Sequence, residues 1–296
     1  MLNRGWTYRA HVNAADDGRA VLDYLTATYR HTDRDGWTRR VQRGEVAIDG
    51  VSVTERTRLR RGEVVVWQRP PWDEPDVPLS FEVLYEDAEV VAVAKPSGLP
   101  TMPAGGFLVH TLLHLVQARY REARPLHRLG RGTSGVVVFA RTTAAAASLS
   151  AAWRSLAVRK DYRALAAGRP AWDCLEVDAA IGRVPHPLLG DVHAARSDGR
   201  PAHSRLSVLE RRDATTLLEV RITTGRPHQI RIHAAWAGHP LAGDPLYGEG
   251  GLPAGTALPG DGGYLLHAHR VAGPHPRGGE LLIEAPPPAA LTVGGG

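Results

Sequence analysis

Residues 68–79, QRPPWDEPDVPL, carry four prolines and show neither helical nor strand periodicity. Proline offers no N–H to a hydrogen-bond ladder and drives the residue before it out of the helical region, so no regular element crosses such a stretch. It reads as a semi-rigid linker, and it divides the chain into a small unit, 1–67, and a large one, 80–296. A large unit of ~200 residues can bury a core without disulfide or metal staples. The single cysteine, Cys174, leaves no internal disulfide to consider.

In the small unit, Val21, Leu22, Leu25 and Tyr29 recur at helical spacing behind Asp16, Asp17 and Gly18, which suit a helix start. A basic stretch from Arg34 to Arg43 follows, with Trp37 inside it. Two short alternating runs then flank Asp49-Gly50, a hairpin signature. Leu59 to Val66 turns into a further strand. This is a small α+β module with a basic helix.

The large unit is dense in short strands. Phe81–Tyr85 and Val90–Ala94 flank an acidic turn as a hairpin does, and Val136–Ala140 reads as a buried strand. Further strands are expected near 160–167, 203–210, 215–223 and 281–285. Helices are expected over 108–120 and 142–157, with another beginning near Pro227. Strands outnumber helices and the connections are short. The fold class is therefore α+β, a mixed, largely antiparallel β-sheet with peripheral helices.

Charge narrows the partners. The chain has two lysines, Lys95 and Lys160, against 34 arginines, and a formal net charge of +5. Arginine forks pair with phosphates and stack on bases, which suits an RNA partner. No apolar run approaches the ~18 residues of a membrane span, and the first residues have no signal-peptide pattern. The expectation is a cytoplasmic monomer.

Three segments carry chemistry. In Leu126–Gly135, LHRLGRGTSG, the glycines fit the dinucleotide spacing G-x-G-x-x-G. They lead into a strand, whereas that fingerprint leaves a strand and opens a helix, so a nucleotide cofactor is not expected. Ser134 lacks the Gly-x-Ser-x-Gly elbow of a hydrolase nucleophile. In the second segment, Val158–Leu165, strand alternation puts Lys160 and Tyr162 on one face and Asp161 on the other. The third runs from Leu218 through Gly225, Arg226, His228, Gln229, Arg231, His233 and His239. Its histidines do not have metal-ligand spacing and no Cys or Glu completes a set, so no metal is expected.

Taken in order, His-Arg-Leu-x-x-x-Thr-Ser-Gly at 127–135, Lys-x-Tyr at 160–162, Gly-Arg-x-His-Gln-Ile-Arg-x-His at 225–233 and Gly-Asp-x-x-Tyr-Gly at 243–248 resemble the RluA-type pseudouridine synthases. Lys95-Pro96-Ser97-Gly98 and Leu266-His267-Ala268 are similar to two further motifs of that family. The small unit resembles the RNA-binding domain of a ribosomal small-subunit protein and of tyrosyl-tRNA synthetases. The resemblance implies isomerisation of uridine to pseudouridine in structured RNA, rRNA or tRNA, without cofactor or metal. It implies that Arg128 fills the space of a flipped nucleotide, that Tyr162 stacks on the base and takes the C5 proton, and that Arg231 pairs with the catalytic aspartate. It also implies RNA contacts from Arg131, Thr133, Lys160, Arg226, His228 and Gln229, and from Arg39, Arg40 and Arg43 on the basic helix.

The family's aspartate follows the leucine of His-Arg-Leu-Asp, and here that position is Gly130. Loss of such a carboxylate is worth ~10⁴–10⁶ in rate by analogy with other nucleophile deletions. Arg231, if buried, is expected to lack its partner or to find another anion. Asp161, Asp191, Asp198 and Asp244 are the acids to weigh as replacements. Two readings stay open: an isomerase with a relocated acid, or an RNA-binding relative that has lost the isomerisation and serves RNA folding or ribosome assembly.

Overall fold

The computed structural model describes residues 2–294. The chain forms two compact units, which meet between Glu74 and Pro75, inside the proline-rich stretch.

The first unit comprises β1 (Trp6–His11), α1 (Val21–Thr28), α2 (Arg34–Gln42), β2 (Val46–Ile48), β3 (Val51–Ser52) and β4 (Val64–Arg69). The strands form an antiparallel sheet in the order β1-β4-β2-β3. Asp49 and Gly50 turn the β2–β3 hairpin with φ of 47° and 84°. Asp33 caps α2, its side chain accepting the Gly36 N–H at 2.8 Å. The helices bury Leu22, Leu25, Trp37 and Val41 in one core with Leu59 and Val65. Two features differ from the sequence expectation. Strand β1 was not foreseen, and β4 enters the expected linker as far as Arg69, because the prolines begin only at Pro70 and pairing with β1 continues up to that point.

The second unit begins with the hairpin β5 (Glu82–Glu86) and β6 (Val90–Lys95), followed by α3 (Leu112–Arg119), β7 (Arg124–Pro125), β8 (Ser134–Ala140) and α4 (Thr143–Arg154). There follow β9 (Arg159–Ala167), β10 (Cys174–Val177), β11 (Ile181–His186), β12 (Gly190–Ala195), β13 (Ser204–Arg211) and β14 (Thr215–Ile222). Last come α5 (Gln229–Trp236), β15 (Leu266–Pro274) and β16 (Glu280–Glu284). A ten-stranded sheet runs β10-β13-β14-β9-β15-β8-β6-β5, with β16 added on β15 and β7 on β8. Among the described residues its one parallel pairing is β15 with β8, so the sheet is mixed and largely antiparallel. The segment after Ile181, for which no strand was expected, forms the separate hairpin β11–β12. Its polar residues and glycines hide the strand alternation.

The central strands are apolar on both faces because both are covered. Val137 and Phe139 of β8 join one cluster with Leu112 and Val116 of α3 and Ile230 and Ala234 of α5. Val136 and Val138 point the other way, onto Ala145 and Leu149 of α4. Burying each such valine stabilises the fold by roughly 1.5–3 kcal/mol before entropy is counted. Tyr162, Leu129 and Tyr264 lie in the α3/α5 cluster, so that layer carries the chemistry-bearing residues.

The parallel contact depends on a glycine. Gly135 has φ +108°, and a Cβ there would stand 2.2 Å from the Ala268 carbonyl oxygen. No L side chain fits both the backbone and the space. Gly135→Ala is expected to destabilise the protein by roughly 3 kcal/mol or more, read as a lower urea midpoint. A midpoint within error of the native one would show that β8 and β15 can part without cost.

Candidate active site

The loop carrying Gly130 joins β7 to β8 and is stapled to the turn that follows β6. Lys95, 1% exposed, gives its ammonium to the carbonyls of Pro96 at 2.8 Å, Leu99 at 2.6 Å and Arg131 at 3.2 Å. Burial pushes its pKa down to about 7, and the three carbonyls favour the charged form. The Ser97 hydroxyl donates to the Gly132 carbonyl at 2.8 Å. Thr101 Oγ1 donates to the Leu129 carbonyl and accepts the Leu129 N–H, at 2.9 and 3.2 Å. On the other side, the Ser134 hydroxyl is bonded to His267 Nδ1 at 2.8 Å, and His267 Nε2 reaches the Ala285 carbonyl at 3.1 Å. Ser134 thus ties β8 to β15. The Lys-Pro-Ser-Gly turn and the Leu-His-Ala strand are the frame of the Gly130 loop.

Arg231 stands opposite on α5, enclosed with its partner: its side chain is 2% exposed and that of Asp244 is 0%. Arg231 Nε and Nη2 each donate to one oxygen of Asp244 at 2.7 Å, and Nη1 donates to the Pro259 carbonyl at 3.0 Å. The Asp244 carboxylate also accepts the N–H groups of Leu246 and Tyr247, at 2.9 and 3.2 Å. Burial opposes the Arg231 charge, but the Asp244 bonds outweigh it and hold the guanidinium above its ordinary range. The Tyr264 ring lies over the guanidinium, 4.1 Å from its centroid to Cζ, and the Tyr247 ring lies at 5.0 Å. Of the two outcomes expected for a buried Arg231, the structure shows the second, another anion in place of the loop carboxylate. Its carboxylate comes from the Gly-Asp-x-x-Tyr-Gly turn.

Backbone geometry sets this arrangement. Gly243 and Gly263 have positive φ, and a Cβ on either would come within 2.4 or 2.6 Å of the other's carbonyl oxygen. The contact places the following residues, Asp244 and Tyr264, side by side on Arg231. Tyr264 then reaches the Gly130 loop. A Cβ at Gly130 would stand 3.3 Å from the Tyr264 Oη, and one at Gly132 would stand 3.0 Å from its Cζ. Sequence reasoning passed over Tyr264, which follows a glycine run and has no spacing signal.

Tyr162 sits on β9 between Val220 and Ala268. It is 8% exposed, and burial pushes its phenol up to about 12. No described residue hydrogen-bonds its hydroxyl, which is also absent from the fully enclosed unpaired atoms. Arg128 is exposed on the loop and, with His193 of β12, lies within electrostatic range of His228. His228 opens α5 with φ 56° and bonds Tyr247 Oη through Nδ1 at 2.7 Å. Burial, aided by the Arg231 charge, pushes its imidazole down to about 3. Arg131 donates to the Gly260 carbonyl and Arg226 to that of Pro201, at 2.8 and 2.9 Å.

A family model described as RNA pseudouridylate synthase matches residues 89–236. An uncharacterized RNA pseudouridine synthase of Synechocystis sp. is 42% identical over 92% of this chain and 96% of the relative. The chain belongs to the RNA pseudouridine synthase family. It is also similar to RNA pseudouridine synthase 5 of Arabidopsis thaliana, 37% identical over 93% of this chain and 90% of that one. Ribosomal large subunit pseudouridine synthase D of Neisseria meningitidis is 35% identical over 91% of this chain and 75% of the relative. Among solved structures, human RNA pseudouridylate synthase domain containing 1 superposes with a TM-score of 0.58 at 25% identity, covering 73% of this chain and 87% of that chain.

Within this family member, three residues expected to touch RNA are turned inward. Gln229 is 3% exposed. Its carbonyl accepts from Thr224 Oγ1 and the Arg226 N–H, and its amide donates to the His203 carbonyl and Ser204 Oγ. Every face of that side chain is committed to the strand-to-helix turn. Lys160 is buried and donates to the Thr223 carbonyl at 3.2 Å, and Thr133 is buried behind Gly130. On the first unit, Arg39 and Arg43 are exposed, while Arg40 lies 5.2 Å from both the Trp37 and Trp67 rings. All three line a recess of about 310 Å³ with Arg69 and Trp72.

The four acids weighed as replacements are all paired. Asp161 faces away from Tyr162, held by Arg159 at 2.9 Å and Arg221 at 2.7 Å. Asp191 pairs with Arg183 and Asp198 with Arg196 on or beside the β11–β12 hairpin, and Asp244 is locked as described. Among the described residues, no group of three or more His, Cys, Asp or Glu is placed to hold a metal ion.

Breaking a buried pair from one side leaves a charge without compensation. Asp244→Leu is expected to cost about 3–5 kcal/mol of stability in urea titration, and Arg231→Met with Asp244→Leu together to recover most of that loss. A double variant as unstable as the single would mean that the ion pair itself, rather than charge isolation, holds the loop.

Proposed function

We propose that the protein converts uridine to pseudouridine in a structured RNA, ribosomal or transfer, acting as a cytoplasmic monomer without metal or organic cofactor. The observation that carries this reading is the match to RNA pseudouridine synthases over more than nine-tenths of the chain. The relative named for the ribosomal large subunit favours rRNA. No helix among the described residues is long and apolar enough to cross a membrane.

The reacting atoms of a uridine inside a helix are out of reach, so the nucleotide leaves its stack. In this reading Arg128, exposed at the loop tip, occupies the vacated space and pairs with phosphate. The flipped base lies against Tyr162, whose hydroxyl is not hydrogen-bonded to any described residue. A phenol held at about 12 is neutral at pH 7. It therefore serves as a relay, taking the C5 proton on oxygen as its own proton leaves. Arg231, fixed by Asp244, supplies positive charge beside the leaving uracil. Arg39, Arg40 and Arg43 of the first unit hold RNA phosphates.

The second reading, an RNA-binding relative without turnover, is favoured by Gly130. Tritium release from rRNA and tRNA transcripts labelled at uridine C5 separates the two, with Gly130→Asp run in parallel. Release by the native protein is expected; release by Gly130→Asp alone would retire the isomerase. Tyr162→Phe is expected to lower turnover by ~10²–10⁴-fold while RNA affinity stays within about threefold. Unchanged turnover would remove Tyr162 from the proton path.

A further inference from the structure

An isomerase lacking the loop carboxylate still has to break a glycosidic bond, and no carboxylate weighed for the task is unpaired. One oxygen is free at that place. Tyr264 Oη lies 3.3 Å from where a Gly130 Cβ would begin, and the backbone of Gly130 to Gly132 is packed against the end of its ring. Tyr264 is 4% exposed, yet no described residue hydrogen-bonds its hydroxyl. Nor is that oxygen among the fully enclosed unpaired atoms, so it has an opening to the solvent side. A phenylalanine would fill the same space and stack on Arg231 equally well. The hydroxyl is thus turned to the open side of the loop, and packing of the ring alone gives no reason for it.

The Arg231 guanidinium lies 4.1 Å from the Tyr264 ring centroid, and Asp244 holds it there through two hydrogen bonds. The ring therefore packs against a fixed ion pair. The glycines at 130 and 132 are then the room that this side chain needs. A side chain at 130 would press on the end of the Tyr264 ring, its Cβ standing 3.3 Å from the phenol oxygen.

We infer that Tyr264 is the nucleophile of this enzyme, its phenol oxygen standing beside Gly130, where the family resemblance implies a carboxylate. The inference rests on the isomerase reading above. Tyrosine serves as the nucleophile in some glycoside-cleaving enzymes, so the chemistry has a general precedent. Tyr264 gives its proton to solvent and its oxygen attacks C1′ of the flipped uridine. The C1′–Oη bond forms as the C1′–N1 bond breaks, with its electron pair staying on uracil N1. The uracil anion turns and C5 attacks C1′, forming the new C–C bond and returning the C1′–Oη pair to the phenol oxygen. The C5 proton then leaves by way of Tyr162, and N1 takes up a proton. Substrate and product are isomers, so no oxidant, reductant or second substrate enters.

Tyr264→Phe removes one oxygen and keeps the ring over Arg231. In the full chain, tritium release is expected to fall at least ~10³-fold, with melting temperature and RNA affinity close to native. As a second measurement, 3,5-difluorotyrosine is installed at position 264, where its phenol is more acidic than that of tyrosine. The rising limb of kcat/KM against pH is expected to move to lower pH, a shift that packing alone would not produce. If the native chain turns over and Tyr264→Phe stays within about tenfold of it, or if the fluorinated protein keeps the native pH profile, the nucleophile is not Tyr264 and the isomerase reading stands. If the native chain releases no tritium from any transcript, the isomerase reading fails and the nucleophile fails with it.

Discussion

The site is assembled around one buried cation. Arg231 enters the interior from α5 with its guanidinium almost wholly enclosed, and three separate stretches of chain converge to accommodate it: the Asp244 turn, the Pro259 carbonyl and the Tyr264 ring. A buried ion pair adds little net stability, because desolvation offsets most of its attraction, but leaving it half-made is costly. Arrangements that separate these stretches are therefore penalised. The pair acts as a positional lock on the segment from 243 to 264, which has little regular structure of its own.

That lock changes the meaning of the glycine at 130. A carboxylate removed from an active site ordinarily strands its cationic partner. Here Arg231 needs no carboxylate at position 130, since Asp244 binds the guanidinium through two nitrogens and two backbone N–H groups complete the carboxylate. A Cβ at Gly130 would stand 3.3 Å from the Tyr264 phenol oxygen.

Much of the fold was legible because its strongest elements state themselves twice. Val136 to Ala140 is apolar at every position, which fits a strand covered on both faces, and α4 and α5 lie where their periodicity put them. The β11–β12 hairpin was not legible: Arg183, His186, Asp191 and His193 interrupt its apolar pattern, and it lies outside the large sheet. Strand β15 was hidden for a similar reason, as its histidines and arginine are stabilised by partners distant in sequence. In the site, motif order located Tyr162, Arg231 and the Gly130 loop. Identity in a motif does not give direction, however, and Gln229, Lys160 and Thr133 were read as contact residues although all three are buried, the first two with inward hydrogen bonds. Tyr264 lies more than 130 residues from the loop it touches, and no local spacing announces such a contact.

The mutual approach of Gly243 and Gly263 makes the stretch between them a tied-off excursion whose two ends are fixed independently of its middle. Lengthening a closed loop costs only about 0.6 kcal/mol for each doubling. The exposed turn near Pro253–Gly255 is thus a place where chains of this architecture can gain or lose residues, even small inserted modules, while the two side chains at the knot keep their positions. Substrate range can diversify at the rim of such a site without disturbing its chemistry.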